Sequence, residues 1–197
     1  MLYLLDTCSY LRLAFSIHPL LGNVYCIAPE VAKVTSDVHT EWDKQPKLQT
    51  KFHWAGEDQY VRNRSTNLVR LTGKQPTEII QMRRNIRAHS ETRVAAIKAA
   101  NYTLPSPTDC AVLAYTFVLS ENGTAAKAIS DDGGMGCIAN DLQIPCGTTL
   151  DLLNRMYIAK TQTINQIVAL AKYLDYIDDL PNNWRVHGPA FFGIRLP

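Results

Sequence analysis

The 197-residue chain has no apolar run long enough to cross a bilayer. Its longest nearly apolar stretch, Cys110 to Leu119, falls far short of the ~20 residues a spanning helix needs. The opening run, Met1 to Leu5, has no basic flank and is too short for a secretory leader. These absences set the expectation of no membrane partner and a cytoplasmic location. No C-x-x-C pair occurs among the five cysteines, at 8, 26, 110, 137 and 146, and their number is odd. That argues against a zinc site or a disulfide framework, and the expectation is reduced core thiols. There is no internal repeat and no low-complexity tract. What remains, 46% hydrophobic and 19% charged residues, is the composition of a folded domain. A chain of this length buries roughly 70% of its unfolded surface and needs no metal merely to fold.

Charge is unevenly placed. Residues 44–104 hold twelve basic and four acidic side chains, a local +8, which leaves −6 for the rest of a chain of net +2. A basic middle between acidic ends points to an anionic partner, although a solvated helical surface has the same composition.

The pattern of residues alternates short strands with helices. Tyr3–Leu5 reads as a buried strand, Ser9–Leu21 as a helix ending near Gly22, and the stretch 23–33 is ambiguous. A second strand-to-helix transition begins at Val34, with Thr35 or Ser36 as its cap. Residues 44–56 read as a polar loop, and a mixed helical pattern surrounds Tyr60–Leu71. Thr77–Ala100 is a stronger helix interrupted at Ser90, on which Arg83 and Arg87 share a face. After Pro105-Ser106-Pro107, Asp109–Leu119 reads as a buried helix. Ala126–Ser130 is then a strand, Met135–Leu142 a helix and Gln143–Pro145 a last strand. Leu150–Ala159 and a helix capped by Thr163-x-x-Gln166 follow, and the tail from Pro181 reads as irregular. The alternation implies an α/β fold with a parallel central sheet and helices on both faces. Ligands of such sheets bind beyond the carboxyl ends of the strands.

Carboxylates gather at those ends: LLDT (Asp6), VTSDVHTEW (Asp37 and Glu41), PSPTDCAVLA (Asp109) and AISDDGGMG (Asp131 and Asp132). Each has a plain alternative. Asp6 suits a helix cap and Asp109 a capping box, while Asp37 and Glu41 suit a solvated face and Asp131-Asp132 a turn. Together, four acidic places along one sheet edge repel each other unless a cation sits among them. Hard divalent ions take such oxygen ligands.

The ordered set of four acidic motifs resembles the PIN-domain nucleases, over Met1 to about Pro145. The resemblance rests on Leu4-Leu5-Asp6-Thr7, on Val34-Thr35 through Glu41-Trp42, on Ser106 to Ala114 and on Ile129-Ser130-Asp131-Asp132. It implies a three-layer α/β/α single domain over 1–197 with MLYLL as its central strand. Relative to compact family members, the basic helical segment at about 44–104 and the C-terminal helices at about 148–197 are additions. It also implies an endoribonuclease dependent on Mg²⁺ or Mn²⁺, often the VapC-type toxin of a toxin–antitoxin pair. In that reading Asp6, Glu41, Asp109 and Asp132 carry the metal and the catalysis, with Asp131 assisting. Thr7, Ser130 and Asp37 stand behind them, Asp37 competing with Glu41 as the second acid. Arg83, Arg84 and Arg87 hold the RNA backbone, on the ground of charge and periodicity. An antitoxin protein and a homodimer are the further partners implied. Two other readings compete: a silent PIN-like module that binds RNA or protein, and a haloacid-dehalogenase-type phosphatase. The phosphatase needs Asp-x-Asp, and Cys8 stands at its second acid.

Overall fold

The structure, a computed structural model, describes residues 1–25 and 29–197. Four parallel strands form the central sheet in the order β2-β1-β3-β4: β1 Leu2–Leu5, β2 Val31–Lys33, β3 Ala126–Ile129 and β4 Cys146–Gly147. Helices flank it in a three-layer α/β/α arrangement. Among the described residues they are α1 Thr7–Ala14, α2 Ser36–Lys44, α3 Pro46–Lys51, α4 Asp58–Thr66, α5 Gln75–Thr92 and α6 Val94–Ala99. They continue with α7 Pro107–Glu121, α8 Gly133–Asp141, α9 Thr149–Ile158, α10 Ile164–Tyr176 and α11 Asn182–Phe192. None of the described helices is long and apolar enough to cross a membrane.

β1 is interior and buried on both faces, with Leu4 and Leu5 fully covered, which is why it reads as an unbroken apolar run. From β1 the chain moves to β2 on one side, then returns past β1 to β3 on the other. The switch point therefore lies at the carboxyl ends of β1 and β3, the place where open α/β sheets form ligand crevices. Leu5 pairs with Ile129, so Asp6 and Ser130 leave the sheet side by side.

α7 packs on β1 and β3 and lies between α2, α5 and α8. Residues 110–116 along it are all buried, as expected for a helix apolar all round. The basic segment is not a separate lobe, since α5 lies along α7 and buries Ile79 and Ile86. Arg64 fastens the same segment to the core. It is 2% exposed, lies 5.4 Å from the Tyr10 ring and 5.6 Å from the Trp42 ring, and donates to the Ala55 carbonyl at 2.8 Å.

Several sequence expectations are corrected. Residues 44–56 are not a loop: Pro46 opens α3 at its first position, Leu48 and Phe52 turn one face to the core, and a 3₁₀ turn follows at His53–Gly56. The first helix stops at Ala14 instead of Leu21, and the middle pattern forms a helix over Asp58–Thr66. The long basic helix breaks at Arg93 and not at Ser90. The last strand is Cys146–Gly147, just beyond Gln143–Pro145. The tail is helical from Asn182 to Phe192, with Trp184, Gly188 and Phe192 buried at four-residue spacing. Of the cysteines, Cys110 is buried, Cys137 and Cys146 are half-buried and Cys8 is exposed; these four are free thiols. The expectation of a core thiol at Cys26 lies outside the described residues. The Thr163–Gln166 capping box forms as the sequence implies.

The stretch before α7 crosses the start of α8 closely. A Cβ on Gly134 would stand 1.9 Å from the Thr103 carbonyl oxygen, whereas one on Gly136 would meet nothing within 4 Å. Gly134→Ala is expected to lose about 1–3 kcal/mol of stability by overpacking. Gly136→Ala is expected to gain about 0.4–1 kcal/mol, because alanine narrows the unfolded ensemble. Urea denaturation of the two variants measures both.

Candidate functional site: an acidic cavity at the switch point

A cavity of about 310 Å³ opens at the carboxyl ends of β1 and β3. Its walls carry Asp6, Glu41, Asp109, Asp131 and Asp132, contributed by the ends of β1 and β3 and by α2 and α7.

Local structure holds each acid by a helix start or a neighbouring hydroxyl. Asp6 caps α1, its Oδ1 accepting from the Ser9 amide at 2.6 Å. Its own amide donates to the Ile129 carbonyl at 3.1 Å, which ties the acid to the neighbouring strand. Asp109 sits in a reciprocal capping box with Ser106, accepting from the Ser106 amide at 2.7 Å. Asp132 caps α8 through the Met135 amide at 2.7 Å and accepts from the Thr103 hydroxyl at 3.1 Å. Glu41 accepts from the Thr7 hydroxyl and from the Gln45 amide at 2.9 Å. Ser130 stands beside two acids: its hydroxyl helps hold the Asp6 carboxyl in its ionised form and accepts from the Asp132 amide at 3.0 Å. Capping and cavity-lining thus belong to the same carboxylates.

The two remaining acids behave differently. Asp131 is spent on structure: its carboxylate accepts from the Thr149 hydroxyl at 2.5 Å, the Thr149 amide at 3.1 Å, Asn183 at 3.3 Å and Arg12 at 3.1 Å. Asp37 does not line the cavity and pairs instead with Arg83 at 2.9 Å. Of the two candidates for the second acid, Glu41 is the one at the cavity.

Burial pushes the Asp6 carboxyl up from the ordinary range; bonds from Ser130 and Ser9 pull it back in part, and the Asp131 charge adds to the rise. Asp109 is raised to about 7, first by burial and then by the charges of Asp6 and Asp132, against the opposing pull of Ser106. Burial and the neighbouring carboxylates thus both disfavour ionisation of Asp6 and Asp109. Among the described residues, no Lys, Arg or His forms an ion pair with Asp6, Glu41, Asp109 or Asp132.

Among the described residues, no group of three or more His, Cys, Asp or Glu side chains forms a ready-made metal centre. The acids share one cavity without closing a coordination shell around a point. Carboxylate oxygens are the ligand type of hard divalent ions, which accept one or two of them and fill the shell with water.

The arginines singled out by periodicity form a second feature. Arg83, Arg84 and Arg87 line a cavity of about 240 Å³ with Ile80, Pro107 and Cys110. Pro107 lies between Ser106 and Asp109, so this basic surface adjoins the acidic cavity across the first turn of α7. Arg83 is held by Asp37, and Arg87 by Glu91 at 3.4 Å.

Sequence reasoning passed over Arg12, which lines the acidic cavity, and Asp179, which pairs with it at 2.8 Å. Arg12 carried a signal, as the lone charged side chain within α1. Asp179 carried none.

Comparison of the chain with family models, with curated proteins and with solved structures gave no match. The functional reading rests on the site.

The raised Asp109 has a defined sign. Its folded carboxyl holds a proton that the unfolded chain releases near the ordinary value of 3.8. This group therefore costs stability as pH rises from about 4 through about 7. Without divalent ions, Asp109→Asn is expected to raise the melting temperature at pH 8 by roughly 3–6 °C, and by less at pH 5. Calorimetry in a chelating buffer at the two pH values measures the difference.

Proposed function

We propose that this chain is a metal-dependent endoribonuclease of the PIN type, hydrolysing RNA phosphodiester bonds. The observation that carries the reading is one cavity at the switch point lined by Asp6, Glu41, Asp109 and Asp132, four acids without a cationic partner among the described residues. Solvated surface acids do not explain it, since Asp6 is 3% exposed and Asp109 is raised to about 7.

Asp6, Glu41, Asp109 and Asp132 would hold a divalent ion, which would supply a lowered water pKa and an offset to the charge of the phosphate. The chain's own residues do the rest. Asp6 and Asp109, immobilised by their helix caps, present oxygens at fixed positions. Thr7 orients Glu41, and Ser130 couples Asp6 to Asp132. In hydrolysis, water oxygen bonds to phosphorus, the bond to one ribose oxygen breaks, and the released alcohol takes up a proton. Among the described residues no histidine lines the cavity, so the carboxylates are the side chains available to receive the proton that water gives up. The arginine-lined surface beside α7 supplies guanidinium groups for neighbouring phosphates.

Cleavage of single-stranded RNA with Mg²⁺ or Mn²⁺ is the direct test. Activity is expected to vanish with a chelator and to fall at least about 100-fold in Asp6→Asn and Asp109→Asn. Equal rates in both variants and in the parent chain would overturn the assignment. Titrating Mn²⁺ at pH 8 is expected to raise the melting temperature of the parent chain and to leave Asp109→Asn nearly unmoved.

A further inference from the structure

A second, wider cleft of about 1050 Å³ adjoins the acidic cavity. The two share Arg12, Asp131 and Asp132 as a common wall. Arg12 is the only basic side chain among the described residues lining either one. An anion that enters from either side meets one guanidinium and no other cationic side chain.

That guanidinium is held rigidly. Its Nε donates to Asp179 at 2.8 Å and its Nη1 to Asp131 at 3.1 Å, and its side chain is 16% exposed. Asp131 is in turn fixed by Thr149, whose hydroxyl accepts from Trp184 Nε1 at 2.9 Å. Asp179 is fixed by Lys51 at 2.9 Å. The C-terminal segment and the basic segment thus converge on one arginine. A guanidinium has five N–H donors, and these two bonds use two of them. Planar and oriented in advance, it suits the bidentate recognition of a phosphate.

We propose that Arg12 is a phosphate contact at the junction of the two cavities, and that Asp131 and Asp179 are the positioning residues that set its plane. The identity of the anion, an RNA phosphate, rests on the nuclease reading. The C-terminal segment is then part of the site, because it supplies Asp179.

The test compares Arg12→Gln, Arg12→Lys and Asp179→Asn by binding of a short fluorescent single-stranded RNA in chelating buffer, by steady-state cleavage with Mn²⁺, and by melting temperature. Arg12→Gln is expected to weaken binding about tenfold and to reduce the slope of log affinity against log salt by about 0.7. Arg12→Lys is expected to keep the salt slope and lose kcat, since it keeps the charge without the fork. Asp179→Asn is expected to hold affinity within about twofold and lower kcat, since the guanidinium remains but is no longer oriented.

A purely structural clamp gives a different pattern. Arg12→Gln and Asp179→Asn would lose the same stability, and RNA affinity and salt slope would stay at the parent values; that result overturns the proposal. Should Arg12→Gln not fold, unchanged KM, kcat and salt slope in Arg12→Lys would overturn it equally. The two readings fail separately. RNA bound through Arg12 but never cut removes the nuclease assignment alone, while RNA cut normally by folded Arg12 variants removes the role of Arg12 alone.

Discussion

The bond from the Asp6 amide to the Ile129 carbonyl organises this molecule. It is the last rung between β1 and β3, and it fixes two chain segments more than a hundred residues apart at the same height. Beyond that rung the strands must part, because the chain reaches β2 and β3 on opposite sides of β1. The acids that follow the strands consequently face a common space whether or not their charges favour it. Burial and then repulsion raise Asp6 and Asp109, and the cost is borne by a sheet whose strand β1 buries Tyr3, Leu4 and Leu5. Stability spent at a site in this way is the usual mark of a functional arrangement.

The same carboxylates begin helices. Asp6, Asp109 and Asp132 each bond an amide of a first turn or its flank, so the backbone, and not a flexible rotamer, decides where the free oxygens point. The positive end of each helix also favours the ionised form, which tempers the effect of burial. In Asp6, Asp109 and Asp132 the helix cap and the cavity-lining carboxylate are one residue.

Legibility in the sequence followed the physics of each element. The buried strands β1 and β3, the apolar helix α7 and the capped helix α10 were readable because a single local signal specifies them, whereas β2 fell in the ambiguous stretch 23–33. Segments with mixed signals were misread. Pro46 and the polar residues around α3 suggested a loop, although Leu48 and Phe52 show the helical face. Gly188 and Pro189 hid α11, although Trp184, Gly188 and Phe192 keep its spacing. Within the site, acids at strand ends could be found because each carries a local motif. The choice between Asp37 and Glu41 could not be made from spacing, since it depends on Arg83 arriving from α5 to occupy Asp37. Asp179 was invisible for the same reason: its partner lies 167 residues away along the chain.

That distance bears on the order in which the molecule is built. Asp6, Arg12 and β1 leave the ribosome ahead of the basic segment, but the acidic edge cannot assemble until β3 follows that whole segment. Even then Arg12 has only Asp131, and the Thr149 that steadies Asp131 still awaits Trp184. The anchors at Asp179 and Trp184 are synthesised after both Asp131 and Thr149. A nascent chain that has reached Asp132 therefore carries all the acids of its cavity before the guanidinium is locked among them. Both anchors of Arg12 are in place only once Asp179 and α11 dock.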